Sequence, residues 1–157
     1  MATKVVHDYF VNIRKAYNST IRGFASNDII AIILTSIPYL YSFGICVYNI
    51  LHPTFFQSMI WLFFAILTIT EILTIISVRK TMPNLLTFSI FIYTAFGHWC
   101  IITNILMIFY VSAYYGIVSF MFATLCPSAI LLLFCGDILR AMRRRMYDKI
   151  AELPQPT

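Results

Sequence analysis

The sequence has few charged residues and lacks several motifs on which soluble enzymes rely. Of its 157 residues, 11% are charged, 5 are glycine and 4 are cysteine, whereas 61% are hydrophobic. So little charge over this length excludes a soluble globular domain. The chain has no glycine-rich phosphate loop, no C-x-x-C pair and no His/Cys spacing typical of a metal site. We therefore expect a membrane protein without a metal, a cofactor or a nucleic-acid ligand.

Four long apolar runs follow a polar first segment. They cover residues 29–51, 58–78, 85–111 and 114–139. Each satisfies the requirement of about 20 residues for a helix that crosses a bilayer. The runs are continuous rather than alternating, which argues against a β-barrel. The sequence predicts an all-α, four-helix transmembrane bundle of spans 1 to 4, between an N-terminal segment 1–28 and a tail 140–157.

The eleven Lys and Arg residues predict the orientation of the chain. They precede span 1, lie between spans 2 and 3, or follow span 4, and the other two connections have none. By the positive-inside rule, both termini and the 79–84 loop face the cytosol. Nothing in the first 28 residues resembles a secretory signal, so span 1 is expected to direct insertion itself. Seven basic side chains are expected to face anionic lipid: Arg14, Lys15, Arg22, Arg140, Arg143, Arg144 and Arg145.

The N-terminal segment has apolar residues at helical spacing. They are Val6, Tyr9, Phe10, Ile13, Tyr17, Ile21 and Phe24, with basic residues elsewhere on the helical wheel. This pattern predicts a basic amphipathic helix. It does not distinguish a helix that lies on anionic lipid, which is the simpler role, from one that docks on a partner helix.

The short connections between the spans leave no room for an ectodomain or a cytosolic enzyme domain. Catalysis inside the membrane would need paired groups on facing helices. Glu71 in span 2 and His98 in span 3 are the candidates, but counting from the inner ends of their spans offsets them by about two helical turns. We therefore predict no enzymatic activity, and we expect His98 to be a hydrogen-bonded core histidine.

Glu71 lies near the middle of span 2, where a charged side chain is costly, and should face the bundle interior or another protein. Matching depths across an antiparallel bundle places five polar residues in its layer and no Lys or Arg. They are Thr35, Ser36, Tyr93, Thr94 and Ser128. With hydroxyls and no cation nearby, the carboxyl is expected to be neutral and structural. The alternatives are a contact with a second protein, or a proton or cation site in a transport path.

Two prolines lie inside predicted spans. Pro38 frees the carbonyl of Leu34, and Pro127 frees that of Ala123, so both helices are candidates for kinks. Such a pair of kinks can line a cavity. Proline is also common in ordinary membrane helices, and that is the interpretation we favour.

Small side chains in span 4 predict close helix packing. Ser112, Gly116, Ser119 and Ala123 form a small-xxx-small face that can contact another helix of the bundle or of a partner. All four cysteines fall inside spans and are expected to pack as small apolar groups. Acylation stays open for Cys135, which lies near a membrane end.

Four short features follow one another in spans 2 to 4: Glu71, "HWC" at 98–100, "YYG" at 114–116 and "LCPSA" at 125–129. In this order they are similar to a family of ciliary transition-zone tetraspans, and the topology resembles that of MARVEL-type proteins. The resemblance implies a non-enzymatic scaffold of a membrane-associated complex, in the ciliary membrane, with Glu71 as the matching acid. The sequence departs from that family in its basic N-terminus and its very short first outward turn.

Taken with the composition, these features predict a tetraspan that joins or organises a membrane protein assembly. Its expected partners are the lipid bilayer and other membrane proteins or further copies of itself. The alternative is a small transporter or channel subunit, in which Glu71 titrates and the prolines mark mobile joints.

Overall fold

The computed structural model describes residues 2–51, 57–110 and 115–152, and these form five α-helices and no strand. The helices are α1 (Ala2–Ala25), α2 (Asp28–Leu51), α3 (Gln57–Arg79), α4 (Pro83–Tyr110) and α5 (Tyr115–Ala151). The last four are long and apolar enough to cross a membrane. The predicted all-α class is confirmed, and the four helices are compatible with a multi-pass integral membrane protein.

The four long helices pack in a ring. α2 contacts α3, α3 contacts α4, α4 contacts α5, and α5 returns to α2. The contact between α4 and α5 is the most extensive, and α1 packs on α5 and touches α2. Each long helix contributes buried residues to the common core, including Ala31, Leu67, Leu86, Tyr93 and Leu132.

The ends of the helices are fixed by local hydrogen bonds. The side-chain Oδ1 of Asn27 accepts from the backbone N–H groups of Ile29 and Ile30, at 3.0 and 3.4 Å, and so caps the start of α2. At the end of α3, the N–H of Met82 donates to the carbonyl of Ser77 at 2.9 Å, and Thr81 between them has a φ of 50°. This Schellman-type turn ends α3 and leads directly into α4.

Helix α5 continues as one helix past Leu139, through the basic segment that follows span 4. Its basic stretch packs along the first turns of α4. Arg143 donates to Thr87 Oγ1 at 3.0 Å, and the Tyr147 hydroxyl donates to Asn84 Oδ1 at 3.0 Å. The position of Arg140 in the sequence therefore does not mark the end of the helix.

Helix α1 is docked on the bundle by its C-terminal part. Ile21 and Ala25 are buried, and the ring of Phe24 meets that of Phe134 edge-to-face, with centroids 6.1 Å apart. Towards the N-terminus, the described side chains from Val6 to Phe10 are all exposed. The apolar residues of α1 thus divide into a packed group and an unpacked one.

Candidate functional site

Glu71 lies inside the bundle, where its side chain has hydroxyl partners from two other helices. The residue is 6% exposed. The Ser36 hydroxyl of α2 donates to Oε1 at 2.6 Å, and the Tyr93 hydroxyl of α4 lies 2.9 Å from Oε2. The contact that depth matching predicted between Glu71 and these two residues is present.

Tyr93 extends this network across the ring. Its side chain is fully buried, and its hydroxyl also lies 3.1 Å from the backbone carbonyl of Thr35 in α2. Among the described residues, α2 and α4 do not pack directly against each other, so the phenol connects two helices on opposite sides of the ring. Glu71, Ser36 and Tyr93 therefore hold three of the four long helices together.

The number of available protons favours a neutral carboxyl at Glu71. The Ser36 hydroxyl contacts the carbonyl of Ile32 at 2.9 Å as well as Glu71, and the Tyr93 hydroxyl contacts the carbonyl of Thr35 as well as Glu71. These four contacts share only two hydroxyl protons, because carbonyls and an ionised carboxylate only accept. A proton on the carboxyl supplies a third donor.

Helix α5 contributes Cys135 to the same region. Its thiol donates to the carbonyl of Leu34 at 3.4 Å, which is the carbonyl that Pro38 leaves without its helical N–H. Cys135 is 1% exposed, so the packing interpretation holds and the thiol is inaccessible to acylation in this fold. Pro38 indicates in the sequence that the Leu34 carbonyl lacks its helical donor. The sequence does not indicate that Cys135 of α5 supplies the replacement.

Two residues assigned to the Glu71 layer have other neighbours than Glu71. Ser128 lies beside Ser42 and Leu67, at a cavity of about 10 Å³. Thr94 contacts α5, where its hydroxyl accepts from Arg140 Nη2 at 3.0 Å. For Ser128 the depth depends on where span 4 ends, and α5 continues well past the predicted end at residue 139.

A second acid, Asp137, was absent from the sequence predictions although it lies within span 4. Its Oδ1 accepts from Arg140 Nη1 at 2.7 Å, and its Oδ2 accepts from the Tyr17 hydroxyl of α1 at 2.9 Å. Since Arg140 also binds Thr94, the expectation that no cation reaches this depth is wrong. Burial, the hydrogen bond to Asp137 and the charge of Asp137 together raise the pKa of Tyr17 to about 12.

His98 is exposed, so the prediction of a core histidine is wrong. Its Nδ1 lies 2.7 Å from the backbone carbonyl of Thr94, one turn earlier in α4. A carbonyl only accepts, so Nδ1 carries the proton and Nε2 of the neutral ring is an acceptor. No contact joins His98 to Glu71, and the described residues contain no group of three or more His, Cys, Asp or Glu side chains that would hold a metal.

The basic side chains expected to face lipid fall into two groups. Arg14, Lys15, Arg22 and Arg144 are exposed. Arg145 instead faces the protein: its guanidinium donates to the Ser26 carbonyl and to the Asp28 carboxylate, and its Nε is buried. The prediction for Arg145 is therefore wrong, because this side chain fastens α5 to the junction between α1 and α2. Arg140 and Arg143 likewise have protein partners on α4.

Two glycines mark a close approach of α4 and α5 that the sequence predictions missed. A Cβ at Gly97 would lie 2.8 Å from the Cγ of Leu133, and one at Gly136 would lie 3.1 Å from Thr94 Oγ1. The predicted small face of span 4 is at the start of that span, before Gly136 in the sequence. Ser112 is outside the described residues, as are the side chains of Gly116, Ser119 and Ala123, so that face stays a prediction.

The two candidate kink prolines differ in their surroundings. Pro38 is buried within α2, whereas Pro127 is exposed on α5, and both helices continue on either side of the proline. The cavity beside Pro38 has room for about one water molecule.

The fold and the Glu71 network define a class: an all-α chain with four helices able to cross a membrane and an acid enclosed between them. Comparison of the chain with models of protein families, with characterised proteins and with solved structures finds no match. The resemblance to ciliary transition-zone tetraspans therefore stays a prediction.

Proposed function

We propose that the protein is a non-enzymatic tetraspan that joins or organises a membrane protein assembly. The observation that carries this proposal is the enclosure of Glu71. Both carboxyl oxygens have hydroxyl partners within the chain, at 2.6 and 2.9 Å, and the residue is buried. A group satisfied in this way stabilises the bundle and is neither free to meet a partner nor open to a passing ion.

A transporter or channel subunit is the rival function, and the surroundings of Glu71 give it no support. A proton or cation path needs water or polar groups that lead to the carboxyl from both sides. The cavity one turn away along α3, beside Leu67, is about 10 Å³, which is the space of about one water molecule. The scaffold role is therefore the better proposal.

The N-terminal helix is proposed to lie at the cytosolic membrane interface, with both termini on that side. Tyr9, Phe10 and Ile13 are exposed and precede the packed part of α1, and Arg14 and Lys15 are exposed as well. Apolar and basic side chains on one surface helix match an anionic lipid surface. The docking of Ile21 and Ala25 on the bundle then sets where the free half of α1 meets the lipid.

The native size of the protein tests the proposed function. The tagged chain is extracted from its own membranes in mild detergent and run beside Glu71→Gln, Glu71→Ala and the control Ile72→Ala, whose side chain is exposed on the same helix. We expect the native chain, Glu71→Gln and Ile72→Ala to migrate in a large complex. Glu71→Ala is expected to leave that complex, because it removes a partner from the buried Tyr93 hydroxyl and from the half-buried Ser36 hydroxyl.

Two results contradict the proposal. A native chain that migrates as a monomer or as a small homo-oligomer removes the larger assembly. Ion or proton flux through vesicles with the purified chain, abolished by Glu71→Gln, establishes the transporter instead. The ciliary membrane implied by the resemblance is tested separately, by imaging the tagged chain.

A further inference from the structure

One outer face of the bundle exposes polar groups at the depth of the Glu71 layer. His98 Nδ1 and the Arg140 guanidinium both bind Thr94, at 2.7 and 3.0 Å, and Asp137 pairs with Arg140 at 2.7 Å. The side chains of Arg140 and Asp137 are 44% and 35% exposed. Thr94 follows Tyr93, which contacts Glu71. These polar side chains therefore lie at the depth of Glu71 but on the outer surface of the bundle. His98, Thr94, Asp137 and Arg140 are called the polar patch.

Lipid hydrocarbon cannot form hydrogen bonds with the polar patch. The Nε2 of His98 is an exposed acceptor, and no described residue donates to it. Polar groups without partners are unfavourable in a bilayer core, and charged ones are tolerated mainly where they face protein. The patch therefore indicates a helix contact.

The exposed surface of α4 around His98 has the spacing of a helix-packing seam. Exposed residues recur there at intervals of three and four: Phe88, Phe91, Ala95, His98, Ile102 and Ile105. This is the a/d pattern of paired helices. The small Ala95, one turn from His98, permits close approach of a second backbone.

We propose that this face of α4, with the polar patch, binds a second copy of the chain. Copies in one membrane share one orientation, so a two-fold axis along the membrane normal brings α4 against α4 with the patches at equal depth. The face is self-complementary: His98 Nε2 is an acceptor, and Arg140 has five N–H donors, of which Asp137 and Thr94 use two. The His98 of each copy thus meets the Arg140 of the other. This inference rests on the proposed function, since self-association is one way to build the assembly.

Disulfide trapping tests the position of the contact. Ala95→Cys is introduced into a chain that carries Cys126→Ser, because Cys126 is the exposed native cysteine and the other three are buried. The control is Ile69→Cys, at a residue 57% exposed on α3. We expect oxidation in lipid nanodiscs and in native membranes to yield a covalent dimer for Ala95→Cys and none for Ile69→Cys. A dimer with both variants, or with neither, overturns the proposal.

Two His98 variants test its chemistry. His98→Gln keeps a hydrogen-bond acceptor, whereas His98→Phe keeps a ring and removes the acceptor. We expect His98→Phe to weaken dimerisation in vesicles about tenfold, measured by energy transfer between labelled copies, and His98→Gln to remain near the native value. Thermal unfolding of each variant in detergent shows that the fold is retained. Native dimerisation by His98→Phe contradicts the acceptor role.

The outcomes separate this inference from the proposed function. A chain that is monomeric in nanodiscs, yet migrates in a large complex from native membranes, refutes the self-contact and keeps the assembly role. A trapped α4 dimer without any larger complex supports the self-contact and counts against the assembly role.

Discussion

Single hydroxyls decide how Glu71 is accommodated. Tyr93→Phe removes the phenol that contacts Glu71 and the Thr35 carbonyl, and leaves a buried carboxyl with one partner fewer. We expect the free energy of unfolding to fall by about 1 to 3 kcal/mol, the cost of an unsatisfied buried polar group. Thermal unfolding in detergent measures the loss, with Tyr9→Phe as the matched control because Tyr9 is exposed. Equal melting temperatures for the two variants contradict the structural role.

Thr81 is a second residue whose local geometry carries a prediction. Its φ of 50° is left-handed, and such a backbone costs a side-chain-bearing residue about 1 to 2 kcal/mol relative to glycine. Thr81→Gly is therefore expected to raise the melting temperature. Thr20→Gly, at an exposed position inside α1, is expected to lower it, since glycine within a helix costs about 0.5 to 1 kcal/mol. A lower melting temperature for Thr81→Gly contradicts the strain at this turn.

The layer around Glu71 shows what residue counting can and cannot supply. Ser36 and Tyr93 were predicted correctly, because their helices begin at ends marked by the chain itself. Cys135 and Arg140 were not, because an apolar helix that continues as a basic one gives no signal of where its depth should be counted. The sequence also does not predict which way His98 faces, because α4 is apolar on nearly all sides and has no polar face to mark its exposed surface.

At the scale of the helices, the close crossing of α4 and α5 depends on Gly97 and Gly136, which have no side chain. Gly97→Ala places a Cβ 2.8 Å from the Leu133 side chain and 3.4 Å from its backbone nitrogen, so the helices must move apart or Leu133 must shift. We expect a loss of about 1 to 3 kcal/mol in the free energy of unfolding. Gly44→Ala is the control, because nothing lies within 4 Å of a Cβ there and alanine favours the helix. A stabilised Gly97→Ala variant contradicts the close crossing.

The docking of α1 on α5 has a pH dependence that follows from Tyr17. Its pKa in the folded chain is raised from 10.0 to about 12, chiefly by burial and by the hydrogen bond to Asp137. A raised pKa means that the fold holds the proton more tightly than the unfolded chain does. The contribution of Tyr17 is therefore complete below pH 10 and is lost as the pH rises towards 12. Melting temperatures between pH 9 and 12 should fall more steeply for the native chain than for Tyr17→Phe, and parallel curves contradict the contact.

For the whole molecule, the asymmetry of basic residues predicts that both ends of the chain lie on the cytosolic side. Ser19→Cys in α1 and Lys149→Cys in α5 are at exposed positions on the two ends of the chain. In whole cells with Cys126→Ser as the background, a membrane-impermeant maleimide should label both only after the membrane is permeabilised. Thr54→Cys, in the first uncharged connection, is the matched control and should be labelled without permeabilisation.

The sequon Asn18-Ser19-Thr20 of the native chain should stay unglycosylated for the same reason. Labelling of Ser19→Cys from outside, or a glycan on Asn18, would reverse the orientation and remove the basis for placing α1 on cytosolic lipid.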